Sequence, residues 1–585
     1  MSSEHNCRVA ALRARFAVHG VAGFIVPRAD EHLGEYVPEN AERLAWLTGF
    51  TGSAGLAIVL ETRAAVFSDG RYTLQLAQQT DERLFERRHI TLEKPEDWLR
   101  AAAPGARIGY DPRLVSAEGL KRFTGVELVA LPNLVDEIWV SRPAAPASAV
   151  VAHELAFAGE AAAAKRARLG AELKAAGQDA ALLTDPTSLC WLLNIRGADV
   201  EFCPVVLAFV VLHADGGADL IIDPARVSVA ARDHLGPDVR LVPPADLPAL
   251  LAGLHGQSVR FDPASQPVWF ETALRAAGAL IAPGPDITAL PRACKNAVEQ
   301  AGARAAHERD GVAMVRFLAW FSAHGVGQTE RSVAAKLLEF RAQGARFRGE
   351  SFAAISGAGE NGAIIHYRVT DESNRAIKPD EAYLIDSGGQ YLDATTDITR
   401  TLWTGPGAPP EVLKAHFTRV LAGHIALAAI IFPPGVAGAH LDVLARASLW
   451  AAGLDYDHGT GHGVGSYLSV HEGPAGISRA ARPVALQPGM ILSNEPGYYL
   501  PGAYGIRLEN LLLVREASLP GAAQPFLGFE TLTQVPFARE LIAPGLLTPE
   551  ARAWLNAYHA GVLGRLGPHL DEPTRGWLRA ACAPI

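Results

Sequence analysis

The sequence lacks any apolar run long enough to cross a bilayer. The most hydrophobic stretches among its 585 residues are Val205–Leu212 and Ile425–Phe432, and both are far shorter than the roughly 20 residues that a membrane helix needs. Residues 1–16 mix charged and short apolar stretches without the apolar core of a signal peptide. We therefore expect no membrane association and no secretory leader.

Paired cysteines and an excess of positive charge are also missing. The five cysteines are widely spaced and form no CxxC pair, which excludes a disulfide framework and a thiolate zinc site and is typical of a reducing cytoplasm. The 53 basic and 62 acidic side chains give a net charge of −9. Such a balance argues against extended electrostatic binding of nucleic acid or anionic lipid.

What the sequence does contain is enough apolar material for large buried cores, because 49% of its residues are hydrophobic. Two clusters of proline and small residues, Ser141–Ser148 and Ile281–Pro291, interrupt it. Since such clusters break regular structure, they predict domain boundaries near residues 148 and 290.

The two segments before residue 290 are similar to one another. The first predicts a strand at Gly23–Val26, a helix at Leu44–Phe50 and then two paired strands. The second repeats this order, with a strand at Ala180–Leu183 and a helix at Leu189–Ile195. Any α/β domain contains such elements, and coincidence stays an alternative, but the shared order favours a duplicated α/β domain.

Two aspartates of the third segment lie on either side of a Gly-Gly turn. Asp386 ends the apolar run Tyr383–Ile385. Asp397 begins a stretch in which Thr399 and Thr401 share its face. The spacing can bring both carboxylates together on adjacent strands, although two solvated turn aspartates are the alternative that these residues alone slightly favour.

Three histidines, His458, His462 and His471, lie within the glycine-rich stretch 455–474. Glycine lets the backbone approach a site closely, and histidine is a frequent metal ligand and acid–base group. A single histidine is more often structural. Three of them in such a stretch favour a functional site.

Two glutamates follow. Glu495 ends an apolar run immediately before a Pro-Gly turn, and Glu509 is predicted to lie in a strand among leucines. A buried carboxylate is costly unless it is paired or bound to metal. Arg507, on the same predicted face as Glu509, is the available ionic partner and therefore the alternative to a metal.

Together, the third segment offers four carboxylates and one well-placed imidazole at predicted strand ends. Such a hard, oxygen-rich set suits Mn²⁺, Co²⁺, Zn²⁺ or Fe²⁺. Four negative charges balance two divalent cations, so a bridging hydroxide could also bind. Two metals about 3.5–4 Å apart would supply that hydroxide near neutral pH and polarise a carbonyl group.

These motifs resemble those of the pita-bread metallopeptidases, and specifically the long, three-domain Xaa-Pro aminopeptidase group. The resemblance spans nearly the whole chain and rests on DSGGQYLDATTDITRT, GTGHGVGSYLSVHEGP, NEPGYY and GIRLEN, with TGFTGSAG, SDGRY and WLNAYH. It implies an α/β fold with two related creatinase-like domains (1–148 and 149–290), a pita-bread catalytic domain (291–525) and a C-terminal extension (526–585) that contributes to a dimer contact.

The resemblance implies a role for each candidate residue. The metal ligands would be Asp386, Asp397, His462, Glu495 and Glu509. Asp386 would bind one ion, His462 and Glu495 would bind the other, and Asp397 and Glu509 would bridge both. The substrate contacts would be Arg71, His366, His458 and His471.

Catalytic roles are implied for three of these residues. His366 would contact substrate beside the metals, His471 would steady the tetrahedral intermediate, and Glu495 would pass a proton to the leaving nitrogen. The residues that follow His366 in IIHYR depart from the family pattern, so the resemblance does not define the residues at the rim of the pocket. Arg71 is predicted to lie in a loop, where a surface salt bridge with Asp69 or Asp81 is the alternative.

The implied function is that of a cytoplasmic metalloaminopeptidase that removes the N-terminal residue from peptides with proline in second position. We expect two divalent ions per chain, Mn²⁺ ahead of Co²⁺ or Zn²⁺, and a homodimer without nucleic-acid or membrane partners. Prolidase-type dipeptidases and methionine aminopeptidases share the five ligands, but the length and the two extra domains favour the aminopeptidase. A non-catalytic peptide-binding protein of this fold is disfavoured because all five ligand positions are filled.

Overall fold

The computed structural model describes residues 2–585, and its internal contacts divide the chain into two units. The first unit contains the chain up to Leu155 together with Glu160–Ala289, and the second contains Ala156–Gly159 together with Leu290–Ile585. Among residues 2–585, no helix is both long enough and apolar enough to span a membrane.

The first unit is built on two six-stranded sheets. In chain order, the strands of one are Gly23–Pro27, Leu56–Leu60, Ala64–Ser68, Glu86–His89, Arg107–Tyr110 and Glu127–Ala130, and those of the other are Ala180–Leu183, Phe209–His213, Ala218–Ile221, Val239–Val242, Ser258–Phe261 and Leu280–Pro283. In each sheet the spatial order of these strands is 4-3-2-1-5-6. Strand 2 is antiparallel to strands 1 and 3 in both, and the remaining pairs are parallel. This identity of topology confirms the predicted duplication.

Helices cover both faces of these sheets. They are Ser2–His19, Arg43–Thr48, Thr73–Gln79, Pro95–Ala102, Ala117–Lys121, Ala162–Ala175, Pro186–Leu193, Val229–Leu235, Leu247–Ala252 and Val268–Ala276. The first strand shows why the sheet needs a layer of helices on each face. Phe24 and Val26 pack in the core that includes the first helix, while the intervening Ile25 packs in a separate core, because alternate strand residues point to opposite faces.

The second unit combines three sheets and a hairpin with long helices. Its helices include Ala297–His324, Glu330–Ala342, Glu411–Ala428, Gly438–Trp450, Pro549–Leu566 and Glu572–Ala581. In spatial order, its sheets are Phe347–Glu350, Gly389–Tyr391, Ala394–Thr395; Ile355–Ala358, Ala382–Ser387, Ile398–Trp403; and Glu472–Ile477, Gly461–Gly463, Ile491–Asn494, Asn510–Ala517, Phe526–Thr531. The hairpin pairs Gly497–Leu500 with Tyr504–Arg507.

Two of these sheets meet where the predicted ligands lie. The strand Ala382–Ser387 pairs with Ile398–Trp403 so that Asp386 lies opposite Thr399. The main-chain N–H of Glu509 donates to Thr399 O at 3.1 Å, and the next residue begins a strand of the five-stranded sheet. This hydrogen bond and the neighbouring contacts of Thr401 with Arg507 bring the acidic residues of two distant sequence segments to one place.

Candidate metal centre

The five predicted ligands occupy the ends or edges of short strands. Asp386 lies near the end of its strand, Asp397 and Glu495 lie immediately before and after theirs, and His462 lies in the three-residue strand Gly461–Gly463. Glu509 was predicted to lie within a strand, and this detail is wrong. It occupies the two-residue gap after Arg507, which leaves its main-chain N–H free to bond Thr399.

Three of these side chains can share one ion. Ligand atoms of Asp397, His462 and Glu509 all lie within 4.8 Å of one another. His462 Nε2 is 3.5 Å from Asp397 Oδ2 and 3.6 Å from Glu495 Oε1. These separations exceed good hydrogen-bond distances and leave room for a cation between the imidazole nitrogen and the carboxylate oxygens.

Glycines on both sides of His462 let its strand pack closely between the neighbouring strands. A Cβ at Gly461 would lie 2.0 Å from Ser493 O, and one at Gly463 would lie 2.2 Å from Glu472 O. The strand therefore fits between its neighbours only without side chains at those positions. His462 Nδ1 is 2.9 Å from Gly463 O, a contact that places the proton on Nδ1 and leaves the Nε2 lone pair for a metal.

Two buried carboxylate oxygens of this cluster have no hydrogen-bond donor among residues 2–585. They are Oδ1 of Asp386 and Oδ1 of Asp397. Glu509 is 1% exposed, and its Oε2 accepts a hydrogen bond from Thr399 Oγ1 at 2.7 Å. Buried carboxylates without donors are costly, and a bound cation would compensate them, so the residues present fit a metal.

The protonation equilibria of the cluster show the same excess of negative charge. Burial, followed by the neighbouring carboxylates, raises the pKa of Glu509 well above its usual range. Burial and the charge of Asp397 raise the pKa of Asp386 to about 6, although Arg507 opposes the shift. Burial alone would lower the pKa of His462, but Asp397 and Glu495 raise it to about 9. Divalent cations would relieve this field.

Arg507 pairs with Asp386. Its Nη2 donates to Asp386 Oδ2 at 2.6 Å, so the alternative in which Arg507 is the ionic partner of Glu509 is not observed. Its Nη1 donates to the hydroxyl oxygen of Tyr499 at 2.6 Å, and that hydroxyl lies 3.0 Å from His458 Nε2. A continuous chain of hydrogen bonds thus connects the predicted substrate histidine to Asp386. Tyr499, the second tyrosine of NEPGYY, was not predicted.

His471 lies directly beside the cluster. Its ring centroid is 4.3 Å from that of His462, with the rings at 72° to one another. The following residue, Glu472, is buried, forms an ion pair with Lys295 and lies 3.2 Å from Arg292 Nε. This pairing anchors the main chain that carries His471, and no sequence pattern indicated it.

His366 lies in the turn after the short 3-10 helix Gly359–Ala363. The loop is held by Glu330, which is fully buried. Glu330 accepts hydrogen bonds from Ala358 N at 2.8 Å and from the hydroxyl of Tyr367 at 2.9 Å. Glu330 begins a helix, where an acidic residue is common, so the sequence alone did not distinguish it.

Arg71 belongs to the first unit. It lies in the 3-10 turn Gly70–Tyr72, and its Nε and Nη2 donate to the two carboxylate oxygens of Asp69 at 2.9 and 2.8 Å. The salt bridge with Asp69, one form of the alternative, is therefore present, whereas Asp81 pairs with Arg83. The predicted substrate role of Arg71 stays a prediction.

Family profiles match most of the chain. Residues 272–516 match metallopeptidase family M24, and residues 525–585 match the C-terminal region of peptidase M24. Residues 8–138 and 141–299 each match a creatinase/prolidase N-terminal domain. The predicted fold class, two creatinase-like domains followed by a pita-bread domain, is confirmed.

Individual relatives are similar over almost the full length. A probable Xaa-Pro aminopeptidase P of Laccaria bicolor is 40% identical over 99% of this chain and 93% of its own. Aminopeptidase P1 of Lotus japonicus is 38% identical over 99% of both chains. The solved X-prolyl aminopeptidase of Caenorhabditis elegans, described as a cytosolic enzyme with a di-nuclear active site, is 33% identical, with a TM-score of 0.94 over 99% of this chain and 100% of its own. The predicted resemblance is confirmed.

Proposed function

Because this chain belongs to metallopeptidase family M24, we propose that it is an Xaa-Pro aminopeptidase, which hydrolyses the bond between the N-terminal residue of a peptide and a proline in second position. The observation that carries the proposal is the cluster of four carboxylates and one histidine, in which Asp386, Asp397 and Glu509 are buried and two carboxylate oxygens have no donor among residues 2–585. The full-length similarity to Xaa-Pro aminopeptidases supports the substrate class.

The cluster would hold two divalent metal ions, for which we propose Mn²⁺. Asp386 would bind one ion, and His462 and Glu495 would bind the other. Asp397 and Glu509 would bridge both. When bound, the ions supply a hydroxide nucleophile at neutral pH and polarise the scissile carbonyl.

The remaining chemistry belongs to side chains that face the cluster. A proline nitrogen must gain a proton to leave, and we propose that Glu495 passes this proton to it. His471, beside His462, would donate a hydrogen bond to the developing oxyanion. We propose that His366, His458 and Arg71 bind the peptide.

The location and the oligomeric state of the protein belong to the same proposal. The C. elegans relative is described as cytosolic, and the scattered cysteines of this chain also suit the cytoplasm. We propose a homodimer, in which the extension 526–585 contributes to the contact. The domain limits 1–148, 149–290 and 291–525 belong to the same proposal.

Hydrolysis of three peptides would test the assignment. The purified protein is stripped with a chelator, reloaded with Mn²⁺ and given Arg-Pro-Pro, Arg-Pro and Met-Ala-Ser. We expect release of arginine from the first peptide, loss of that activity on chelation and its return with Mn²⁺. Preference for Arg-Pro would indicate a prolidase, and preference for Met-Ala-Ser a methionine aminopeptidase. A metal-loaded chain that cleaves none of them would be a binding protein.

A further inference from the structure

Three motifs of the sequence meet at one buried arginine behind the metal centre. Arg400 of DITRT is 0% exposed and lies on the strand Ile398–Trp403. Among residues 2–585, every recorded hydrogen bond of its guanidinium goes to a carbonyl, amide or hydroxyl oxygen and none to a carboxylate. The guanidinium is planar and its N–H groups point in fixed directions. A buried arginine held in this way therefore fixes the positions of the oxygens that it bonds.

On one side, Arg400 fixes the main chain of a proposed bridging ligand. Its Nη1 donates to Glu509 O at 2.6 Å and to Thr399 O at 2.8 Å. Thr399 O also accepts from Glu509 N, and the Thr399 hydroxyl donates to the Glu509 carboxylate. Arg400 thus closes a ring of hydrogen bonds that determines where the Glu509 carboxylate lies.

On the other side, Arg400 reaches the C-terminal helix Pro549–Leu566. Its Nη2 donates to Val535 O at 2.7 Å and to the hydroxyl oxygen of Tyr558 at 3.3 Å. The same hydroxyl accepts from Val535 N at 3.2 Å. The Tyr558 ring stacks on Trp554 with centroids 5.4 Å apart. Both aromatic residues belong to WLNAYH, a motif that the proposed catalysis does not use.

The third motif is GIRLEN, which supplies the residue after Glu509. Arg400 Nη2 donates to Asn510 Oδ1 at 2.8 Å. Nε donates to Pro536 O at 3.0 Å, and the guanidinium lies over the Phe537 ring, with Cζ 4.3 Å from the centroid. The arginine is therefore surrounded by groups that leave it a single position.

We propose that Arg400 and Tyr558 are positioning residues for Glu509, so that the C-terminal extension supports the metal centre through them. Tyr558 and Val535 hold the guanidinium, and the guanidinium holds Glu509 at the distance from Asp397 that two ions require. The inference rests on the metal site proposed above. Loss of such outer partners typically lowers metal affinity by about 10–100-fold.

Metal titration of the full-length protein tests this inference without substrate. Parent, Tyr558→Phe and Arg400→Lys are stripped of metal and titrated with Co²⁺, and binding is followed by the visible absorption of Co²⁺ and by elemental analysis. We expect about a tenfold loss of affinity for one ion in Tyr558→Phe and about a hundredfold loss in Arg400→Lys, with altered Co²⁺ bands in both. Lysine keeps the charge but carries its three donors on one nitrogen, so it cannot bond all six oxygens that the guanidinium bonds.

A matched control separates positioning from helix stability. The Thr548 side chain caps the N-terminus of the same helix without a recorded contact to Arg400, so Thr548→Ala should lower thermal stability but keep the parent's Co²⁺ affinity and spectrum. If Tyr558→Phe behaves like this control, the inference is overturned, even if Arg400→Lys fails to fold. A parent chain that binds no Co²⁺ would instead overturn the proposed metal site.

Discussion

A buried lysine of the first unit is satisfied by oxygens of the chain, whereas two aspartates of the second unit each bury an oxygen that the described residues do not satisfy. Lys165, 1% exposed, donates from Nζ to Trp191 O at 3.0 Å and to Asn194 Oδ1 at 2.8 Å. In the second unit, buried oxygens of Asp386 and Asp397 meet no donor among residues 2–585.

The difference follows from the hydrogen-bonding capacity of the backbone. A carbonyl oxygen has two lone pairs, so it can accept from a buried cation while it also serves its helix or sheet. A main-chain N–H has one proton, and secondary structure uses it. A chain can therefore solvate a single buried cation, as at Lys165, or a single buried carboxylate, as at Glu330. Several carboxylates crowded at one place also need positive charge, and this crowding marks the candidate metal centre of the second unit.

The largest effect is expected where a bridging carboxylate loses its charge. Asp397→Asn nearly preserves size but removes a charge shared between two ions, so we expect loss of at least one metal per chain. Activity should fall by more than the roughly 100-fold typical of outer partners. Elemental analysis and hydrolysis of Arg-Pro-Pro would measure both.

Asp393 provides the matched control for this prediction. It is also buried, but it pairs with Arg309 and Arg346 at 2.5 and 2.6 Å. Asp393→Asn should therefore lower stability and leave metal content unchanged. Two metals and normal turnover in Asp397→Asn would show that unsatisfied carboxylates do not mark a cation site in this protein.

A second group of variants separates ligand from substrate histidines. His462→Ala should deplete metal, because it removes the single imidazole of the proposed ligand set. His366→Ala and His471→Ala should keep both ions while kcat/KM falls about 100-fold, since these residues act on the substrate or the transition state. Equal metal loss in all three variants would show that the roles are assigned wrongly.

The cation-rich core of the first unit predicts acid sensitivity. His153 is 4% exposed, and burial, followed by the charges of Arg196 and Lys165, lowers its pKa to about 2. Its pKa in the unfolded chain is near 6.5, so its contribution to stability is complete above that pH and is lost as the pH falls. Between pH 7 and pH 5 the loss should be about 2 kcal/mol.

His153→Gln would test this account of the first unit. The variant should lose less stability between pH 7 and pH 5 than the parent, as measured by urea unfolding of the full chain. A pH dependence as steep as that of the parent would mean that His153 is not the group that titrates.

The sequence identified the candidate ligands but not the contacts that hold them. Asp386, His462 and Glu495 became candidates because each stands beside a short apolar run or a glycine, which are local features. The partner of Arg507 was not recognisable, because Asp386 lies 121 residues away and their contact depends on how two strand pairs meet. Arg400 was missed for the same reason.

The duplication of the fold was equally visible in local order. A strand, a helix and a strand pair recur in both halves of the first unit. The spatial order 4-3-2-1-5-6 was not predicted, since it depends on which distant strands become neighbours. Local periodicity records which face is buried but not which strand lies beside it.

The smallest predicted effect compares the two halves of the first unit at equivalent turns. After the third strand of each sheet, an aspartate caps a 3-10 turn that contains an arginine: Asp69 with Arg71, and Asp223 with Arg226. Arg226 forms an ion pair with Asp199, whose side chain is fully buried. Arg71 pairs with Asp69 near the surface, and its side chain is 24% exposed to solvent.

This comparison predicts opposite consequences for the two arginines. Arg226→Ala leaves the buried Asp199 charge unpaired, which should cost about 3–5 kcal/mol of stability but should leave KM unchanged. Arg71→Ala breaks a partly exposed ion pair worth less than about 1 kcal/mol. If Arg71 binds peptide, the variant should raise KM severalfold for Arg-Pro-Pro-Gly-Phe but not for Arg-Pro, at parental kcat and metal content. Parental KM values for both peptides would mean that Arg71 is a surface residue without a role in peptide binding. The two equivalent turns would then differ only in the partner of the arginine, which is Asp69 for Arg71 and Asp199 for Arg226.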